Sequence, residues 1–292
     1  MADNNGLFAI VSVLVVSGCF FGVLLAPDIF GGEGESSAPP SAAIGAPVLA
    51  ELSNPDALNE AMANPEEQRF LKSLLAVAPN RYMDLQRTFS ENDLTAAEEI
   101  EAVQAISLEV LADNAGILKF ASSQSLNRVI DGLVADMQKA QASGTKYCNG
   151  GTYADIAGAP EAAVMGWAAR QDIADEAFYP TVLRINADLM DVVRQAKTTP
   201  VRHGLFTRND EVALQRAIAG VISQPAFVRA MMGGQNQEEA LKALDLCSLG
   251  VTALTELRRL PDDVKGRAWT ELMKQDEVRD LLTSATPSSP TL

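Results

Sequence analysis

One short segment of the chain combines residue types that could bind a small ligand. Residues 147–153 read YCNGGTY, in which two tyrosines flank an asparagine and two glycines. Glycines let the backbone approach a ligand closely, and long irregular loops in compact domains are often functional. If the chain has a ligand site, the pattern places it at Tyr147, Asn149 and Tyr153, although a structural role for the loop is preferred. That role is a plain crossover between two helical subdomains.

Cysteine and histidine are too few and too widely spaced for a metal or nucleophilic centre. The chain has three cysteines, Cys19, Cys148 and Cys247, and one histidine, His203. No spacing among them matches the C-x-x-C or H-x-x-x-H patterns typical of zinc sites. Neither glycine pair in the body is followed by the Lys-Ser/Thr of a phosphate-binding loop. We therefore expect no metal, no cofactor and no catalytic residue.

Arg202, His203 and Gly204 form a triplet that resembles the opening motif of histidine phosphatases. In that family the histidine takes the phosphoryl group and the arginine binds it. The family motif follows an early strand and acts with a second histidine, whereas this triplet lies in mid-chain between predicted helices and His203 has no second histidine beside it. The sequence favours a loop whose His or Arg caps a helix.

Two clusters of acids could serve a glycan hydrolase, which needs a pair of carboxylates. Glu98, Glu99 and Glu101 lie at the start of one predicted helix, and Asp262 and Asp263 at the start of another. The helix dipole also favours acids at these positions. The structural interpretation is therefore preferred to the catalytic one.

The elements that would position these residues are helices. Prolines, capping residues and acids mark helix starts near Pro65, Thr95, Pro180, Asn209 and Asn236. Apolar residues then recur with the helical period, and the pattern after position 236 predicts one continuous apolar face. About ten helices and no convincing strand predict an all-α body.

The N-terminal segment predicts a single transmembrane helix. It begins at Leu7, ends at Ala26 and contains no charge. Such a helix spans about 30 Å, close to the thickness of a bilayer's hydrocarbon core. An uncleaved anchor is preferred to a cleaved signal peptide and to a lipoprotein acylated at Cys19. Gly18 and Gly22 have the GxxxG spacing of helix dimers, which is compatible with a homo-oligomer.

Composition divides the chain into four regions. They are the tail and anchor at 1–26, a flexible Gly-, Ser- and Pro-rich linker at 27–46, an all-helical soluble domain at 47–284 and a disordered tail at 285–292. The 292 residues are 47% hydrophobic, which is enough for a core. The net charge of −15 repels phosphate backbones and argues against a nucleic-acid partner.

Cysteine usage bears on the compartment. No Lys or Arg lies near the anchor to set its orientation, and we favour the body in the bacterial periplasm with the anchor in the inner membrane. Two cysteines lie beyond the anchor, an even number that an oxidising compartment favours. The sequence therefore predicts a disulfide between Cys148 and Cys247, with a buried free thiol at Cys247 as the alternative.

These features predict a membrane-anchored, non-enzymatic scaffold or accessory subunit of a bacterial envelope complex that acts through protein–protein contacts. Two alternatives stay open: an anchored envelope hydrolase that uses carboxylates, and a small-ligand-binding module built round the loop from Tyr147 to Tyr153. Two acids that converge in a pocket would favour the hydrolase, and an apolar surface patch would favour the scaffold.

Overall fold

The computed structural model of the protein describes residues 65–91, 94, 96–152, 178–232 and 237–274. Within these ranges eleven α-helices and one 3-10 turn occur without any strand, which confirms the all-α prediction there. The predicted anchor, linker and C-terminal tail lie outside the described residues. None of the described helices has the length and apolarity needed to cross a membrane.

The helices are numbered in chain order. They are α1 (Pro65–Val77), α2 (Pro79–Glu91), α3 (Ala96–Asp113), α4 (Ala115–Leu118), α5 (Ser123–Ser143), α6 (Phe178–Thr198), α7 (Arg208–Ile222), α8 (Pro225–Met232), α9 (Gln237–Lys242), α10 (Leu246–Arg259) and α11 (Asp262–Leu272). The 3-10 turn, Lys146–Cys148, follows α5.

Local chemistry fixes the ends of two of these helices. Ser122 caps α5 by accepting a hydrogen bond from the backbone N–H of Ser125. Gly144 ends α5 with a φ of 64°, a left-handed conformation that favours glycine. Thr207 and Asp210 form a reciprocal capping box at the start of α7. The helix boundaries therefore follow from signals of a few residues each.

The single helix predicted after position 236 is wrong, because the backbone turns between α9 and α10. In a continuous helix the carbonyl of Leu244 would accept from the N–H of Ser248. Instead it accepts from the N–H of Gly150 at 2.9 Å, and Ser248 donates to the side chain of Asp245 at 2.9 Å. A contact distant in sequence thus outweighs the local apolar pattern.

Helix α6 forms the centre of the larger of two hydrophobic clusters. Its side chains at Leu183, Met190 and Val193 are fully buried, and α1, α3, α4 and α5 all pack against it. Each buried Leu or Met side chain contributes about 1.5–3 kcal/mol to the hydrophobic driving force.

An ionic network joins α6 to two of its neighbours, α5 and α1. Arg184 of α6 donates to Asp136 of α5, with its Nε 2.9 Å from Oδ2, and to Asp188 at 2.8 Å. Asp188 also accepts from Arg69 of α1. Gly132 of α5 leaves the space for this network, since a Cβ there would lie 2.0 Å from Nη1 of Arg184.

Helix α5 also packs antiparallel against α10. Asp131 pairs with Arg258 at 2.8 Å, and farther along α5 Met137 faces Gly250. A Cβ at Gly250 would lie 2.4 Å from the sulfur of Met137, so the close approach depends on glycine. The opposite side of α10 packs with α7, α8 and α9 in the smaller cluster.

The turn 118–122, between α4 and α5, is held by several distant residues. Trp269 of α11 donates to the carbonyl of Leu118 at 2.6 Å. Thr270 of α11 donates to the carbonyl of Lys119 at 2.9 Å. The N–H of Val201 donates to the carbonyl of Phe120 at 2.9 Å. Nε2 of His203 lies 2.8 Å from the carbonyl oxygen of Ala121. Gln195 of α6 accepts from the N–H of residue 122 at 2.7 Å. These bonds satisfy backbone groups that helix ends leave unpaired.

We expect Gly132→Ala to lower the free energy of unfolding by about 1–3 kcal/mol, because the new methyl group would displace the Arg184 guanidinium from its bonds to Asp136 and Asp188. Gly220→Ala on α7 is the matched control. Nothing lies within 4 Å of a Cβ there, so stability should stay level or rise by up to about 1 kcal/mol. Urea unfolding followed by circular dichroism measures both variants, and equal effects would contradict this packing.

Candidate functional site

The predicted ligand segment falls in a loop of residues 145–152, here called the disulfide loop. The loop closes on itself through short-range hydrogen bonds. The hydroxyl of Thr152 donates to the carbonyl of Lys146 at 2.7 Å, and the N–H of Gly151 donates to the side chain of Asn149 at 2.8 Å. The N–H of Thr145 reaches back to the carbonyl of Ala140 in α5 at 3.2 Å. The loop is therefore an ordered extension of α5.

Cys148 of this loop is bonded to Cys247 of α10, which confirms the predicted disulfide. The two sulfur atoms are 2.06 Å apart, the Cα atoms are 4.9 Å apart, and the residues are separated by 99 positions. Cys247 is fully buried in the larger cluster. The bond thus links the C-terminal end of α5 to the N-terminal end of α10.

Gly150 provides the loop's second attachment. The N–H of Gly150 donates to the carbonyl of Leu244. Next to this bond, Asn149 forms an isolated antiparallel bridge with Asp245. A Cβ at Gly150 would lie 2.2 Å from the carbonyl oxygen of Leu241, so the backbones meet too closely for any side chain. The glycine that the sequence associates with ligand approach here accommodates another part of the chain.

The predicted ligand residues lie in different surroundings. Tyr147 is 7% exposed and packs in the larger hydrophobic cluster, whereas Asn149 is exposed to solvent. Tyr153 lies outside the described residues. Ligand binding by these three residues stays a prediction, and the described contacts give the loop a structural role.

The acids at the start of α11 are engaged in ion pairs. Asp262 lies 2.9 Å from Nζ of Lys265, and Asp263 accepts from Arg267 at 2.8 Å. These cationic partners hold the pKa of both carboxyls below the ordinary value. A glycosidase needs one carboxyl whose pKa is raised. Asp262 and Asp263 are therefore poor candidates for such a pair.

A carboxyl whose pKa is raised lies beside the other predicted acid cluster. The pKa of Glu67 in α1 is raised, first by burial and then by the negative charge of Glu99 in α3. The side chains of Glu98 and Glu101 lie outside the described part. The pair of Glu67 and Glu99 is the described feature that best fits the carboxylate alternative. Among the described residues, no cluster of three or more His, Cys, Asp or Glu side chains could hold a metal ion.

His203 acts as a structural contact in the loop of residues 199–206, here called the 199–206 loop, which joins α6 to α7. Its ring packs on Gly266 of α11, where a Cβ would lie 2.1 Å from Nδ1. Its Nε2 contacts the carbonyl of Ala121. The neighbouring Arg202 is exposed. His203 therefore contacts the turn before α5, and the caps of α5 and α7 are Ser122 and Thr207 instead of His203 or Arg202.

Sequence reasoning missed a buried ion pair between Asp210 and Arg267. Asp210 is 3% exposed, and Arg267 donates to both of its oxygens, at 2.7 and 3.0 Å. These bonds, with those from Thr207, lower the pKa of Asp210 to about 2 from an ordinary 3.8. The capping pattern of Thr207 and Asp210 was readable in the sequence, but the partner on α11 was not.

The sequence also missed an exposed apolar feature on the 199–206 loop. Val201 is 37% exposed and Leu205 is 80% exposed, and they are the exposed large hydrophobic residues of the described part.

No protein-family model, curated protein or solved structure matches the chain. Function must therefore be inferred from the chain's own residues.

We expect Asp210→Asn to lower the free energy of unfolding at neutral pH by about 2–3 kcal/mol, because Arg267 loses a bidentate charged acceptor. The pKa of Asp210 is lower in the folded state, about 2 against 3.8. Its stabilising effect is therefore complete above about pH 4 and is lost as the pH falls towards 2.

Chemical denaturation from pH 7 to pH 2 measures this effect as the difference between wild type and Asp210→Asn. The difference should shrink below pH 4. Asp131→Asn, which breaks an exposed ion pair with Arg258, is the matched control and should cost less than about 1 kcal/mol. A difference that does not change with pH would show that Asp210 is not held as a charged partner.

Proposed function

We propose that the protein is a membrane-anchored, non-enzymatic scaffold or accessory subunit of a bacterial envelope complex, with its helical body in the periplasm. The observation that carries this proposal is the disulfide between Cys148 and Cys247. Stable disulfides belong to oxidising compartments such as the periplasm and are rare in the cytosol. The uncharged N-terminal segment from Leu7 to Ala26 supplies the anchor in the inner membrane.

The use of charged residues in the body supports a role in binding rather than catalysis. Arg184, Lys265 and Arg267 each bridge carboxylates or carbonyls of different helices. Such pairs fix the positions of the helices they join. The apolar residues of the 199–206 loop, by contrast, remain accessible to another molecule.

The proposed location predicts the outcome of four measurements. The protein should resist carbonate extraction and keep Met1 or Ala2 at its N-terminus, since the anchor is not cleaved. Protease added to spheroplasts should digest the body. Intact mass after denaturing alkylation should show Cys148 and Cys247 unmodified without reductant and modified with it. A body protected from protease, or two alkylated body cysteines in the unreduced sample, would overturn the periplasmic location.

The scaffold role predicts that the full chain purifies from native membranes with a partner in stoichiometric amount. The hydrolase alternative, supported by the raised pKa of Glu67 beside Glu99, predicts a solitary chain that cleaves cell-wall glycan. It also predicts that Glu67→Gln abolishes the cleavage. Purification without any partner would therefore contradict the scaffold, whether or not glycan is cleaved.

A further inference from the structure

The 199–206 loop holds its apolar residues outward on a fixed support. The N–H of Val201 and the ring of His203 are bonded to the turn 118–122. Phe206 packs against the smaller hydrophobic cluster, and Thr207 begins α7 through its capping box with Asp210. Leu205 lies between these attached neighbours and yet is 80% exposed. Its exposure follows from a fixed backbone.

A fixed backbone makes the exposed side chains suited to binding. A preorganised surface loses less conformational entropy when a partner covers it. Isolated exposed apolar residues are common on proteins, but here both exposed large hydrophobic residues of the described part, Val201 and Leu205, belong to the same loop. The concentration of apolar surface on one ordered loop is the first indication of a docking site.

The charge of this region is opposite to that of the whole chain. Residues 192–208 contain four Lys or Arg and no acid, in a protein of net charge −15. Arg194 and Arg208 pair with acids of their own helices, and Lys197 reaches the carbonyl of Val77. Arg202 is exposed and forms no ion pair with the described residues. Arg202 follows Val201 in the chain, and its guanidinium is available to bind a carboxylate of another molecule.

We propose that Val201, Arg202 and Leu205 form a docking element for a partner protein whose surface offers an apolar pocket edged by a carboxylate. The proposal rests on the scaffold function proposed above. Arginine binds carboxylates through two parallel hydrogen bonds and is enriched at the energetic centres of interfaces. A membrane surface fits less well, because lipid docking uses clusters of basic residues and the acidic body repels anionic headgroups.

The test uses a phage-displayed library of short random peptides, panned against the full chain in detergent. Recovered peptides should carry a large apolar residue beside Asp or Glu. They should bind Leu205→Ser and Arg202→Glu at least about tenfold more weakly than wild type. Arg216→Glu is the matched control, since Arg216 is exposed on α7 and forms no ion pair with the described residues. It should bind as wild type does.

Three results would overturn the docking element. The first is peptides without acidic enrichment, or peptides that bind wild type, Leu205→Ser and Arg202→Glu equally. The second is a blue shift of Leu205→Trp fluorescence when the full chain is placed in phosphatidylglycerol vesicles, which assigns the loop to lipid. The third is a dimer in sedimentation equilibrium that Leu205→Ser abolishes, which assigns it to a second copy.

Purification from native membranes separates this proposal from the scaffold function. A stoichiometric partner that Leu205→Ser and Arg202→Glu lose, and that Arg216→Glu keeps, supports both. A partner that all variants keep overturns the docking element and leaves the scaffold intact. No partner with any variant overturns the scaffold itself.

Discussion

The close antiparallel packing of α5 against both α6 and α10 is the constraint on which the rest of the described structure depends. On the α6 side, Gly132 leaves space for the Arg184 guanidinium, and on the α10 side Gly250 leaves space for Met137. A methyl group at either glycine would have to displace the side-chain end that faces it, the Arg184 guanidinium or the Met137 thioether. Because α10 contributes residues to both hydrophobic clusters, its position on α5 sets the position of one cluster against the other.

Polar groups of the described residues extend this framework by joining helices to one another. The turn before α5 uses its carbonyls to hold α11 and the 199–206 loop. Buried Lys265 binds Asn127 of α5 and the carbonyl of Arg258, so the start of α11 is tied to α5 as well. A buried charge is tolerated only when partners surround it. These ionisable groups therefore serve the packing of helices.

The sequence predicts features that depend on neighbouring residues and fails where distant residues meet. The helix start predicted near Asn209 depends on local signals, and the structure has α7 begin at Arg208 after its cap, Thr207. The disulfide was predictable because only two cysteines, Cys148 and Cys247, lie beyond the predicted anchor. The ion pair of Asp210 with Arg267 joins residues that no spacing rule connects. The exposure of Leu205 was equally hidden, because it depends on what holds its neighbours.

The two loops discussed above lie at opposite ends of α5, and this separates stability from binding. A helix of 21 residues is about 30 Å long. The disulfide loop extends from its C-terminal end and fixes α10 there. The turn 118–122 precedes its N-terminal end and supports the 199–206 loop. Reduction of the disulfide would loosen the far end of α5 and leave the support of Leu205 in place. The covalent bond thus maintains the framework, while the proposed docking element depends on hydrogen bonds at the other end.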